Sequence, residues 1–160
     1  GYILATPLQL AMAYSGLANK GVIYQPQFIQ PEDEKSFEPK KVAEIQLSDN
    51  KAWEKMEQAL VDVISARNGT AHKVYDANSV VIAGKTGTAQ IKSILPGKEY
   101  DAIRENPALR DHALFVGYGP LEDPKLVVAV IIENGESGSE VAAPIVKSAI
   151  NFYTGGFDAE

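Results

Sequence analysis

The chain has 160 residues, about one ordinary domain, and its 45% hydrophobic content is enough to bury a single core. A formal net charge of −6 and a sequence pI near 5.0 leave no basic footprint for nucleic acid, and no apolar run reaches the roughly 18 residues of a membrane-spanning helix. Cysteine is absent, which removes disulfides, thiolate nucleophiles and cysteine-based metal sites.

Taken in chain order, Thr6-Pro7 places a capping hydroxyl before a proline at the first helical position, where a missing N–H costs nothing. Apolar residues recur at Leu10, Tyr14, Leu17 and Ala18, and Asn19-Lys20-Gly21 supplies a glycine stop, so the pattern predicts a helix over 6–20. Residues 21–29 read as a short edge strand or extended segment, with Pro26 limiting its pairing. Residues 30–47, rich in Pro, Lys and Glu, read as a solvated excursion with a short strand near 42–47. A second helix is expected over about 50–66, with Trp53, Met56, Leu60, Val63 and Ile64 as its apolar stripe and Arg67-Asn68-Gly69 as its end.

The character then changes to short β-branched runs. Strands are expected at about 80–88, 113–119 and 125–133, the last two joined across the turn Pro120-Leu121-Glu122-Asp123-Pro124. Residues 91–109 would form a loop over the mouth of any site on the first strand. A final helix is expected over about 140–153, with Ser139 as its cap, Glu140 at the positive end of the dipole and Pro144 near the first turn. The fold class is therefore α+β, three antiparallel strands with flanking helices.

Lys85-Thr86-Gly87-Thr88 sits where the first apolar strand emerges. Lys85 offers a cation, Thr86 and Thr88 offer hydroxyls on one strand face, and Gly87 lets a ligand backbone lie close. Such an edge suits an extended peptide that ends in a carboxylate. Alone the triplet is unspecific, because Lys-Thr-Gly also occurs at strand ends with no such role. It gains meaning as one member of a set with Ser-x-x-Lys and Ser-x-Asn.

The surrounding blocks carry a resemblance. Thr6-Pro7-Leu8-Gln9-Leu10-Ala11 with Leu17-Ala18-Asn19-Lys20-Gly21, then Asn68-Gly69-Thr70-Ala71, then Ala83-Gly84-Lys85-Thr86-Gly87-Thr88-Ala89-Gln90 follow one another in family order. Arg110-Asp111-His112-Ala113-Leu114-Phe115-Val116-Gly117-Tyr118, Glu133-Asn134-Gly135 and Ala142-Ala143-Pro144 complete the series. Together they resemble the C-terminal part of the transpeptidase domain of class B high-molecular-mass penicillin-binding proteins. The Asn68-to-His72 and Arg110-to-His112 variants lean towards the elongation-type penicillin-binding protein 2.

The resemblance implies a serine D,D-transpeptidase anchored in the bacterial inner membrane and facing the periplasm. Its partners would be peptidoglycan stem peptides ending in D-Ala-D-Ala, β-lactams and cell-elongation proteins. It also implies roles. Lys85 would supply positive potential, Thr86, Gly87 and Thr88 would bind the donor's carboxylate end, and the Thr88 N–H would be half of an oxyanion hole. No metal and no cofactor are implied.

The nucleophile and the Ser-x-Asn serine are expected in an N-terminal half outside residues 1–160, so this chain alone is expected to be inactive. Its start at Gly1 fits a fragment. Ser48-Asp49-Asn50-Lys51 satisfies both serine motifs on paper, but it follows the Thr-Pro-Leu-Gln helix instead of preceding it and reads as a helix cap. Ser15, mid-helix, reads as packing. His72 and His112 read as ordinary hydrogen-bonded histidines, with His112 close enough to shape the rim beside Arg110 and Asp111. Two other classes stay open, a non-catalytic peptide or carboxylate-binding module and a scaffold of the elongation machinery. The resemblance also implies that the 125–133 strand is interior in the family's sheet and pairs with a strand of that N-terminal half. Its second edge is therefore expected to lack its partner and to be covered by another chain, a symmetry mate or the rearranged 21–29 or 42–47 segment.

Overall fold

The computed structural model describes residues 4–29, 38–49, 51–91 and 106–155. The first part of the polar excursion, Asn50 and most of the 91–109 loop lie outside the described residues.

Helix α1 spans Pro7–Ala18. Thr6 Oγ1 accepts from the Gln9 amide at 3.2 Å, and Gln9 Oε1 accepts from the Thr6 amide at 2.8 Å. Two orphan donors are thus satisfied reciprocally, a capping box of which the sequence reading named only the hydroxyl. The helix stops at Lys20 and Gly21, both with positive φ. Gly21 has to be glycine on two counts, because an added Cβ would also lie 2.5 Å from the Ile45 carbonyl oxygen.

Strands β1 (Val22–Tyr24) and β2 (Lys41–Glu44) pair antiparallel in a small sheet of their own. They therefore do not cover the edge of the main sheet, as one of the sequence expectations allowed.

Helix α2 spans Lys51–Ser65. Leu60 and Val61 are buried, while Met56 remains 48% exposed. The expected stripe is thus buried only in part, because α2 meets the core through its second half.

The main sheet is β3 (Ala83–Ala89), β4 (His112–Gly119) and β5 (Leu126–Ile132), antiparallel and in sequence order. In its register Lys85 lies opposite Val116, Thr86 opposite Phe115 and Thr88 opposite Ala113. β3 begins three residues later than its apolar run. The reason is Pro120, which ends β4 and has no N–H to offer a ladder. Of the preceding residues, Val81 accepts from the Leu121 amide at 2.9 Å.

The last helix, α3, spans Ala143–Tyr153. It starts later than the expected 140, and Ser139 does not cap it. Residues Gly138–Ala142 form a π-helical turn, with the Ala143 amide reaching back to the Gly138 carbonyl. Pro144 has no N–H for the Glu140 carbonyl, which an α-helical start at 140 would have required, and a wider turn stands in its place. The Ser139 hydroxyl pairs with Ser137 Oγ instead, at 3.1 Å.

Helices cover both faces of the sheet. On one face Ile82 and Phe115 pack with Ala142, Ala143, Val146 and Ile150 around α3. On the other, Ala83 and Tyr118 pack with Leu60 and Val61 of α2 and with Tyr14 and Leu17 of α1. Full burial of Phe115 contributes on the order of 2–3 kcal/mol.

Two outcomes follow from this packing. Burial, with the Glu57 charge and Tyr14 nearby, pushes the Tyr118 phenol up to about 12. The neutral phenol is the form the fold favours, so its contribution is intact below pH 10 and is lost as pH rises from about 10 to 12. Tyr118→Phe should make unfolding less steep across that window, as circular dichroism against pH would record; an unchanged profile would remove Tyr118 from it. Secondly, among the described residues no strand pairs with the outer edge of β5. Sedimentation of the isolated 160-residue chain should show self-association, and a dispersed monomer would count against that edge as a pairing surface.

Candidate active site

β3 leaves the core in the middle of its length. Ala83 and Gly84 are buried, Lys85 is exposed, Thr86 and Gly87 are half-buried, and Thr88 and Ala89 are exposed. Among the described residues β3 lies at an edge of the sheet, so this emergent half offers side chains together with a backbone edge that no described strand pairs with. Phe115 sets its height. A Cβ on Gly84 would lie 2.7 Å from the Phe115 ring and 2.9 Å from the Val116 carbonyl oxygen. Glycine there lets the strand rest directly on the ring, and Lys85 follows immediately.

Alternation along β3 puts Thr86 and Thr88 on one face and Lys85 and Gly87 on the other, as expected. The lysine does not stand alone. Its Nζ donates to the Thr86 carbonyl at 3.0 Å and to Thr86 Oγ1 at 3.2 Å. Thr86 Oγ1 also lies 3.1 Å from Thr70 Oγ1. Lys85, Thr86 and Thr70 thus form one polar chain. The sequence reading had quoted Thr70 within a family block but given it no role. A hydroxyl just past a helix end, 16 positions from Thr86, shows no periodicity that would have linked the two.

The rim is held by backbone capture. The turn after β5 contains Asn134 and Glu136, both with positive φ. The Asn134 amide donates to His112 Nδ1 at 3.0 Å, and Asn134 Nδ2 donates to the Arg110 carbonyl at 3.0 Å. The Glu136 amide donates to the Asp111 carbonyl at 2.9 Å, and Arg110 Nε lies 3.9 Å from Glu136 Oε1. A backbone N–H can only donate, so His112 Nδ1 carries a lone pair. His72 Nδ1 faces the Ile64 carbonyl at 3.1 Å and must carry the proton. Both histidines hold structure, as expected, with His112 at the rim. The π turn packs beneath, and its Gly138 sits against the Leu114 and Gly87 carbonyls with no room for a side chain.

The motif-like serines lie elsewhere. Asp49 caps α2, its Oδ1 accepting from the Lys51 amide at 2.9 Å and its carbonyl from the Ala52 amide at 3.0 Å. Lys51 is thus the first residue of a helix and not the partner of a nucleophile. Ser15 accepts from the Asn19 side chain within α1. Among the described residues no three side chains able to bind a metal ion come together.

A model of the penicillin binding protein transpeptidase domain matches residues 1–151. The chain belongs to that family. The peptidoglycan D,D-transpeptidase MrdA of Haemophilus influenzae is 36% identical over 157 residues, which cover 96% of this chain and 24% of the relative. The chain therefore spans about a quarter of that relative's length. The fold is similar to that of Pseudomonas aeruginosa PBP2 solved in complex with WCK 5153. That structure is 38% identical, with a TM-score of 0.72 over 96% of this chain and 31% of the other. PBP2 of Helicobacter pylori, solved in complex with MreC, has a TM-score of 0.73 at 25% identity and covers 98% and 26%. The mixed helical and three-stranded architecture expected from the sequence is the one these transpeptidase structures share.

Substitutions in the complete protein separate cap from catalyst around residue 49. Ser48→Ala should leave penicillin acylation unchanged, while Asp49→Ala should cost about 1 kcal/mol of stability. A loss of acylation in Ser48→Ala with the melting temperature intact would reinstate that serine as chemistry.

Proposed function

We propose that the chain is the C-terminal part of the transpeptidase domain of a peptidoglycan D,D-transpeptidase of the elongation type, and that β3 forms the wall against which the donor peptide lies. The observation that carries this reading is the edge-lying 85–89 half of β3, where the strand emerges from the core, with Lys85 hydrogen-bonded into it. The chain covers 24% of the MrdA relative, which leaves room for more of the domain, and in this reading a segment upstream of Gly1 contributes a catalytic serine, a partner lysine and a Ser-x-Asn serine.

In this reading the donor stem peptide lies extended along β3 with its terminal carboxylate against Thr86 and Thr88. Lys85 adds the positive potential that an anionic terminus requires, and Gly87 keeps the strand surface low. The upstream serine oxygen attacks the D-Ala-D-Ala carbonyl carbon. The carbonyl electrons move onto oxygen, where the Thr88 N–H and the N–H of the serine itself receive them. Collapse breaks the C–N bond, and D-Ala leaves with the proton taken from the serine. The amine of a second stem peptide then attacks the ester, forming the cross-link and freeing the serine. A β-lactam carries its carboxylate and strained amide in the same relation and acylates the same serine.

The MreC complex of the Helicobacter relative supports an elongation-machinery protein as partner. The MrdA likeness supports a periplasm-facing domain with its anchor elsewhere in the protein. In the complete enzyme, Lys85→Ala should slow acylation by penicillin on the order of a hundredfold with little change in melting temperature, because the side chain is exposed. Mass spectrometry of the acyl adduct over time gives the rate. An unchanged rate would remove Lys85 from the site, and absence of any adduct on the wild-type protein would favour a binding module or scaffold.

A further inference from the structure

We propose that Thr70 is a positioning residue, which sets the Thr86 hydroxyl as a donor towards a carboxylate lying along the free edge of β3. The inference rests on the carboxylate-binding reading of β3 above and identifies what tunes that site.

The hydrogen-bonding capacity of Thr86 Oγ1 decides the matter. A hydroxyl has one proton and two lone pairs, whereas an ammonium can only donate. Lys85 Nζ, 3.2 Å away, therefore occupies one lone pair of Thr86 Oγ1. Thr70 Oγ1, 3.1 Å away, is able to donate or to accept. If Thr70 accepts, the Thr86 proton is spent within the pair and a lone pair is left facing an incoming anion. If Thr70 donates, both lone pairs are filled and the Thr86 proton is free to point outward. A carboxylate selects the second arrangement, because a hydroxyl-to-carboxylate bond is charge-assisted. The Lys85 ammonium polarises the same hydroxyl and strengthens it as a donor.

Thr70 is held from outside the strand, so it is a fixed reference for Thr86. On one side the Gly69 amide donates to the Ala66 carbonyl at 2.8 Å, and on the other the Ala71 amide donates to the Val63 carbonyl at 2.9 Å. Ala71 is fully buried. Gly69 lies so close to the carbonyls of Asp62 and Val63 that no side chain fits there. The His72 amide, donating to Gly69 O at 3.1 Å, closes the turn. The hydroxyl of Thr70 is thus anchored to the end of α2, while the side chain itself is exposed. Its loss should cost the fold little.

The test uses the complete enzyme, a β-lactam bearing its carboxylate and an analogue lacking it. Thr70→Val should weaken pre-covalent binding of the carboxylate-bearing compound about fivefold, the scale of one impaired hydrogen bond to a charge. The acylation step itself should be unchanged, and so should binding of the carboxylate-free analogue. Thr70→Ser should restore wild-type binding, because it keeps the hydroxyl. Equal losses on both compounds, or none on either, would overturn the assignment. Lys85→Ala measured in parallel separates the two levels. If it acylates like wild type, the reading of β3 fails; if it is slow while Thr70→Val binds the carboxylate-bearing compound as tightly as wild type, only the role of Thr70 fails.

Discussion

The contact between Gly84 and the ring of Phe115 is the constraint on which the rest depends. β4 is the middle strand and is buried along most of its length, so it fixes the height of both neighbours. Phe115 faces α3 and also carries the backbone of β3 on its ring edge. A larger residue at 84 would lift β3 from the sheet and take Lys85, Thr86 and Thr88 with it. Val146 and Ile150 of α3 stay beneath Phe115 because Gly138, backed onto the Leu114 and Gly87 carbonyls, starts the last helical segment at a fixed depth. The position of the cationic strand end is therefore set from the core outward, and the exposed residues need little stability of their own.

Much of this was legible in the sequence because it rests on period and punctuation. The Thr6-Pro7 start, the Gly21 stop and the three β-branched runs each led to the right element within a few residues. Where the reading departed, a proline decided it. Pro120 shortened the β3 ladder by ending its partner, and Pro144 replaced an α-helical first turn with a π turn, leaving Ser139 without a helix to cap. Both effects act through a missing N–H on a neighbouring segment, which a linear reading sees only as tolerance. Met56 was misjudged for a different reason. A helical stripe specifies which face turns inward, but not how much of the helix lies over the sheet.

The site divided in the same way. Lys85, Thr86, Gly87 and Thr88 stand together because they are contiguous, and strand geometry alone gives their alternation. Thr70 was invisible because its link to Thr86 spans a buried alanine, a short 3-10 turn and the whole approach to β3. Its anchoring is nevertheless local and readable in hindsight, since Asn68-Gly69 closes a helix and Ala71 has the smallest side chain that still fills a core position. The rim is similar. Asn134 and His112 meet through one backbone amide, and only the register of β4 on β5 brings them together.

The hydrogen bonds around Lys85 suggest a general way to bind an anion at a strand edge without burying a charge. A fully desolvated lysine would cost several kcal/mol unless paired. Here Lys85 stays in water and spends its protons on a carbonyl and a hydroxyl of the next residue. The charge is passed outward as polarity on Thr86, and Thr70 decides which way that polarity points. Such a site loses little when it is empty, because every donor named is in contact with an acceptor or with solvent. In the proposed reading it gains when a carboxylate arrives, because only the hydroxyl protons of Thr86 and Thr70 must turn. Recognition is thereby placed on rotations about two C–O bonds, while the backbone that carries them is held by Phe115 below and by the end of α2 beside it.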